Sequence, residues 1–351
     1  MPFESDANSA RTIVAPDDLD AINRLYRDKR WGDGLPVVPP TVERVERMLR
    51  YTKRSSDEVV AQVAPAFGEA TIERIAINAV LAGCDPDYLP ALIAATEAVA
   101  ATEFNLQAIP ATTNSVAVWV IVNGPLAKTL GVNATFNCLG QGWWANATIG
   151  RALRLILQNI GGALPGEMDR ATHGQPGKYS FCCAENEEAS PWSPLHVERG
   201  HAREESTVTV VGAEGTMNMN THSKDGDELV RVIAETMMHP PSNEYTHGGE
   251  PWLIISPEHA EIFTRAGLDK AELKRRLWEA SKMPASRMAQ KDLLRVHDSR
   301  TELGKIGPDT LLTICESPAD IWLIVAGGPG THSVYVPCFG NSRAVTRRIE
   351  E

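Results

Sequence analysis

Apolar residues recur along this chain in two rhythms, and the change from one to the other divides it. Over residues 17–27 the positions Leu19, Ile22, Leu25 and Tyr26 fall at helical spacing, with acids leading and bases trailing, the order a helix dipole favours. Thr41 is placed to cap a second helix running to about residue 51, with Glu43 and Glu46 in its first turns. Between the two, Trp31-Gly32-Asp33-Gly34-Leu35-Pro36-Val37-Val38-Pro39-Pro40 carries two glycines and three prolines, which specifies a fixed irregular loop. Residues 71–84 and 86–102 are apolar and alanine-rich, which predicts two packed helices.

The rhythm then shortens. Residues 113–124 (TNSVAVWVIVNG) are β-branched and aromatic and read as a buried strand. A helix over 145–160 follows, with Ile149, Leu153, Ile156 and Leu157 on one stripe. Residues 161–204, rich in Gly, Pro, Glu and His, show neither period, and so long an aperiodic stretch inside a compact chain points to function or disorder. Strands at 206–212, 251–256, 310–315 and 321–326, with a further one at 331–339, then alternate with helices at 226–237, 257–266 and 269–281. The expected fold class is α/β: two lobes of mixed or parallel sheet flanked by helices, joined by a long irregular active-site loop. The expected division is a flexible tail (1–15), a helix-rich α/β lobe (16–204) containing the 161–204 loop, and a second α/β lobe (205–351).

Composition narrows the class of function. The chain has 351 residues, with 34 Lys and Arg against 45 Asp and Glu, a formal charge of −11. That balance lacks the clustered basic footprint of a nucleic-acid surface. No apolar stretch approaches the ~18–20 residues of a membrane span. The first residues lack the basic-then-apolar pattern of a secretory signal. Six cysteines, scattered apart from Cys182–Cys183, do not form a disulfide framework, so the expected setting is cytoplasmic with free thiols.

The densest chemistry lies between His173 and His201, which holds Lys178, Cys182, Cys183, Glu185, Asn186, Trp192, His196 and Glu198. Cys183, His196 and His201 have spacings like those of a zinc finger, but adjacent cysteines on a strand point to opposite faces and one metal rarely takes both. No cofactor is fixed by this pattern. A divalent metal held by His196, Glu185, Glu198 and His201 is one reading; a metal-free site in which Glu185 and His196 move protons is another; a solvated acidic loop is a third. The prolines on either side of Trp192 would hold the segment rigid.

A second candidate is the run from Asn137 to Arg151. Gly140, Gly142 and Ala145 echo a dinucleotide fingerprint, although Trp143 and Trp144 crowd the place where a pyrophosphate would lie. Asn146 and Arg151 on the following helix are candidate substrate ligands, Arg151 for an anionic group and Arg154 beside it. Cys138, near that helix start, is either a nucleophile of lowered pKa or a small buried residue. Asp33, in the Gly-Pro loop, is a further binding candidate. The third site is Gly327-Gly328-Pro329-Gly330-Thr331-His332, a glycine turn after a strand, where α/β sheets place ligands.

Several segments taken together carry a resemblance. WGDGLPVVPPT, ERIAINAVLAGCDPDYLPALIAATEA, the run from ANATIGRALRLILQNIGG to THGQPGKY, CAENEEASPWSPLHVERG and IWLIVAGGPGTHSVYVP resemble the long N-terminal region of the UGSC-motif (seleno)protein family. That family is named for a motif of selenocysteine or cysteine, Gly, Ser and Cys. No Cys-Gly-Ser-Cys occurs here; Cys338-Phe339-Gly340 and Cys138-Leu139-Gly140 keep only a Cys and a Gly. The resemblance implies a large subunit whose redox motif sits on a separate small chain, and it implies thiol chemistry without naming a substrate.

The leading expectation is an oligomeric enzyme, or the large subunit of one, that acts on a small organic, anionic substrate by thiol-assisted bond cleavage or reduction. Cys138, Cys182 and Cys183 are the candidate thiols; Glu185 and His196 the proton carriers. Asn186, Trp192, Trp143, Trp144, Asn146, Arg151, Asp33, His173 and Lys178 are the candidate binding residues. The rivals are a hydratase or lyase built on the Glu185–His196 pair, and a non-catalytic scaffold for a small redox partner.

Overall fold

The computed structural model describes residues 12–240 and 242–350; most of the expected N-terminal tail, residues 1–11, lies outside them. The strands are β1 (Val59–Val63), β2 (Gly68–Thr71), β3 (Ala117–Asn123), β4 (Cys182–Ala184), β5 (Thr207–Ala213), β6 (Met217–Asn220), β7 (Trp252–Ile255), β8 (Met283–Pro284), β9 (Leu311–Leu312), β10 (Trp322–Val325), β11 (His332–Val336) and β12 (Val345–Arg348). Helices of eight residues or more are α1 (Leu19–Lys29), α2 (Val42–Leu49), α3 (Ile72–Ala82), α4 (Leu89–Ala100), α5 (Trp144–Asn159), α6 (Gly226–Met237), α7 (Pro257–Arg265), α8 (Lys270–Ala280) and α9 (Gln290–Ser299).

Two four-stranded sheets form the centre. The first has the order β12-β5-β3-β4, antiparallel except for the β3–β4 pair; the second has the order β10-β7-β11-β6, antiparallel except for β10–β7. Both are mixed sheets flanked by helices, in an α/β fold. β5 and β12, which follow residue 204 in the chain, belong to the first sheet together with β3 and β4.

Period-2 alternation stacks the layers. On β3, Val120 and Val122 face a core shared with α3, α4 and α5, while Ala117, Trp119 and Ile121 face the second sheet. On β7 and β10, Leu253, Ile255, Leu323 and Val325 face α6, α7 and α8, while Trp252, Trp322, Ile254 and Ile324 face the first sheet. The order is helices, sheet, sheet, helices. Aromatic rings fill the middle layer. Trp119 meets Trp252 edge-on at 5.7 Å, Trp252 stacks on Trp322 at 5.8 Å, and Trp119 stacks on Phe181 at 5.4 Å. Because both faces of β3, β5, β7 and β10 are buried, their residues are apolar nearly without interruption.

Helix ends follow local chemistry. Asp18, Thr41, Thr71, Asp225, Ser256 and Asp269 each accept a hydrogen bond from a first-turn N–H, and Gly83 ends α3 in the left-handed conformation. The pattern differs from expectation in two places. The 310–315 strand contracts to the two residues of β9, paired with β8, although Leu312, Ile314 and Cys315 are all buried. α9 buries only Val296 and so carries no apolar stripe to read. Among the described residues, no helix is long and apolar enough to cross a membrane.

Removing an aromatic ring from the middle layer should be costly. Trp119→Ala is expected to lower stability by about 3–5 kcal/mol, the range for a large buried aromatic. Trp144→Ala, with its ring 61% exposed, should stay within about 0.5 kcal/mol. Urea unfolding of the two variants checks the contrast.

Candidate functional site

The parallel pairs β3–β4 and β7–β10 end at one common edge. The Asn186 N–H, just past β4, donates to the Val325 carbonyl of β10 at 2.7 Å, and the Gly327 N–H donates to Ala134 O at 2.9 Å. The segment 133–143 therefore lies across the carboxyl ends of both sheets, which is where α/β sheets leave room for ligands.

Asn146, on the first turn of α5 and buried, holds that segment down. Its Oδ1 accepts from the Asn133 N–H at 2.7 Å, and its Nδ2 donates to the carbonyls of Asn133, Cys138 and Cys182 at 3.0, 3.0 and 3.2 Å. One turn on, Gly150 lets α5 lie against the chain entering β4: a Cβ there would be 2.5 Å from Ser180 Oγ and 2.7 Å from Phe181 N. Gly328 does the same for the opposite wall, since a Cβ would fall 2.2 Å from the Phe136 ring.

This places Cys138, 6% exposed, against Cys183 of β4. Both side chains lie in the layer between the two sheets, and the Cys138 N–H donates to the Thr135 carbonyl at 3.2 Å. The neighbouring Cys183 thiol and nearby main-chain N–H groups hold the Cys138 thiol below the usual range against the opposing effect of burial. Cys183 moves the other way, raised by the neighbouring Cys138 thiol and by its own complete burial. Cys182 faces the helix layer instead, toward Cys84, and burial pushes both of those thiols up, Cys84 to about 12. Three segments singled out from sequence, at 138, 183 and 327, thus meet at one edge, joined through Asn146 and the Gly327–Ala134 hydrogen bond.

Glu185 continues the alternation of β4, on the face of Cys183. Its Oε2 accepts from Asn123 Nδ2 at 2.6 Å and from the Leu195 N–H at 2.7 Å. Burial pushes its carboxyl up to about 7, against the pull of Lys270 and these donors. Glu187 caps the end of β3, accepting from the Gly124 N–H at 2.7 Å and from Asn123 at 3.1 Å. His196 is fully buried beside it, Nδ1 3.7 Å from Glu187 Oε1 and Nε2 3.3 Å from the Arg203 carbonyl. Glu185 Oε1, Asn123 Oδ1 and His196 Nδ1 are buried without partners.

The other candidates are spread more widely. Arg151 spends its guanidinium on Asp33 (2.7 and 2.9 Å) and on the carbonyls of Leu35, Pro36 and Ala82, so here it anchors the Gly-Pro loop. Arg154 and Lys178 both pair with Asp169, at 3.0 and 2.7 Å. His173 is exposed, Trp192 packs against the helix side of the second sheet, and Trp143 and Trp144 stand exposed beside Cys138's loop, Trp143 Nε1 donating to Phe136 O. The segment before α5 is a loop rather than a strand, so Gly140 and Gly142 lack the strand–turn–helix setting of a dinucleotide fingerprint. Of the possible metal ligands, Glu198 is held by Lys270 at 2.6 Å and by Lys274, and His201 lies 3.4 Å from Glu205. Among the described residues, no three His, Cys, Asp or Glu side chains gather as a metal set.

A cleft of about 1230 Å³ runs between residues 188–191, the amino ends of α6 and α7, and Pro329, two residues beyond Gly327. Comparison of the chain with models of known families gives no match, and comparison with curated proteins gives none either.

A group of carboxyls that sequence reading did not single out lies at the opposite edge. Glu244 binds Tyr335 Oη and the Cys338 N–H; Glu214, just after β5, binds Asn114 and Asn243; Glu250 accepts from the Ala344 N–H at 2.6 Å. The only signal in the sequence was an acid flanking an apolar strand, at 214 and at 250. Burial pushes Glu214 to about 7 and Glu244 to about 8. Such carboxyls stay protonated to higher pH in the folded chain than in the unfolded one. Their contribution to stability is complete below the unfolded pKa of about 4.3 and is lost as pH rises through the folded value. Burial holds His239 and His259 down, so they act in the opposite sense near neutrality, and a variant comparison is needed to isolate the carboxyl. Glu244→Gln is expected to gain stability relative to wild type as pH rises from 5 to 9. Urea midpoints across that range check it; a constant difference would contradict the assignment.

Proposed function

We propose that this chain is a thiol-dependent enzyme in which the Cys138 thiolate attacks an electrophilic centre of a small organic substrate, leading to bond cleavage or reduction. The observation that carries this reading is the placement of Cys138 on the irregular segment across the carboxyl ends of β3–β4 and β7–β10, buried in the layer that also holds Cys183. A thiolate is the nucleophilic form, and N–H donors stabilise it. None of the other five thiols has such a setting. Glu185, titrating near 7 on the face of β4 that also carries Cys183, supplies a group able to take and return a proton close to neutrality. An anionic substrate group would be met by the glycine turn 327–330, since Arg151 is engaged elsewhere. Phe136, Leu139, Trp143 and Trp144, exposed around the thiol, support an apolar substrate body or the covering small subunit that the family resemblance implies.

A second reading, acid–base chemistry by Glu185 and His196 without a thiol, is favoured by the three unpartnered polar atoms around Asn123. Alkylation separates the two. With iodoacetamide at pH 7, Cys138 is expected to react at least about tenfold faster than the other thiols of the folded protein, consistent with a lowered pKa. Cys138→Ser should abolish the fast phase. A Cys138 that reacts only on unfolding would remove the thiol reading. A carboxyl infrared band lost near pH 7, and absent in Glu185→Gln, would then leave Glu185 as the reactive group.

A further inference from the structure

One stretch of the surface stands apart in composition. From Thr129 to Gly150 no residue carries a charge, in a chain that is 23% charged, yet Phe136, Leu139, Trp143 and Trp144 within it are exposed. These side chains form one strip. Trp143 Nε1 donates to Phe136 O at 3.3 Å, and the Phe136 ring lies over Gly328. At the other end, a Cβ on Gly83 would fall 3.9 Å from Trp144 Cζ2 and 3.6 Å from Val38 Cγ2. Trp144 and the exposed Val38 therefore meet over the end of α3. Val38 and Gly328 belong to segments 34–42 and 327–331, which carry no charge either.

We infer that this strip is the face on which a second copy of the chain docks, related to the first by a two-fold axis. Charge selects that occupant first. Each copy carries −11, so contact through acidic surface would set like charges against one another, and the neutral strip avoids that cost. A basic or acidic partner would find no opposite charge on it. Hydrogen-bonding chemistry points the same way. The exposed polar side chains set among the rings include the amides Asn137 and Gln141. An amide both donates and accepts, so it can pair with its own copy across a two-fold axis, as a carboxylate or an ammonium cannot.

The area is of the right order. With Phe136 63%, Trp143 41% and Trp144 61% exposed, these three residues alone present roughly 300 Å² of aromatic surface. Leu139 and Val38 bring the strip to about half of the ~800 Å² that each partner gives to a standard interface, and the amides and main chain of 135–142 supply a polar rim. The docked copy lies along the outer side of the segment that carries Cys138. Neither the contact nor its test depends on how that thiol reacts, so either reading can fail while the other stands.

Sedimentation velocity of the full chain over a range of concentrations tests the inference. A dimer that dissociates on dilution is expected. Trp144→Ala should weaken association about tenfold or more, the effect of losing an interface anchor. Its urea midpoint in dilute, monomeric chain should match wild type, which separates contact from folding. Gln141→Glu sets two carboxylates against each other across the axis, so it should weaken association at low salt and recover at high salt. A chain that stays monomeric at every concentration would overturn the inference. A dimer that both substitutions leave unchanged would do the same. A monomer that instead sediments with phosphatidylcholine vesicles, and no longer does so as Trp144→Ala, would overturn it too and reassign the strip to a lipid surface.

Discussion

Two sheets that each bury both faces leave almost no place for polar side chains except the strand ends. Trp119, Trp252 and Trp322 fill the space between the sheets, and helices close the outer faces. Within that sandwich ladders pair β3, β5 and β7 with a strand on either side along part of their length, and a charged side chain inside would carry a desolvation cost of several kcal/mol. Titratable groups are therefore driven to two rims. One rim carries Cys138, Glu185 and Glu187; the other carries Glu214, Glu244 and Glu250. Glu185 and Glu244 are buried at these rims and Glu214 nearly so, which is why burial dominates the titration of these three.

The carboxyl-end rim is organised by a single amide. Asn146 makes four contacts of hydrogen-bond length to main chain of two segments, 133–138 and β4, and no aliphatic side chain could replace them without leaving those groups unpaired in a dry environment. Two glycines make the approach possible by removing side chains rather than adding them. Without Gly150 the helix could not come close enough to β4, and without Gly328 the aromatic ring of Phe136 would have no seat. The arrangement is thus set by packing on a rigid scaffold, with Cys138 on a segment that is neither strand nor helix.

The large elements of this fold were legible because most bury one stripe or both faces: α2 to α8, and β3, β5, β7, β10 and β11, follow the apolar rhythm closely, and α1 does so while only half-burying its stripe. β4 was not, because three residues cannot display a period, and Cys182-Cys183-Ala184 becomes a strand only through the neighbouring β3. β12 and the β1–β2 hairpin are half-exposed and mixed in polarity, so nothing in them alternates cleanly. At the site, the local signals were readable one at a time: a glycine turn, a thiol near a helix start, an acid after a cysteine pair. Their convergence was not, since residues 138, 183 and 327 meet only through the way the two sheets stack. Arg151 shows the converse limit. Its position on a helix suggested a free cation, and only the folded chain reveals that Asp33, 118 residues upstream, holds it.

The ladder between β5 and β12 has a consequence for how the molecule is made. β5 leaves the ribosome with one edge on β3 and the other bare, and the strand that covers that bare edge follows only about 130 residues later. At roughly 5–20 residues per second the gap lasts on the order of ten seconds. During that time Val208 and Val210, interleaved with Thr207 and Thr209, lie on a strand with one edge unpaired, the kind of surface that recruits other chains. The nascent protein is thus most exposed to misassociation in the interval when the second sheet is being synthesised, and a factor that shields strand edges would act there.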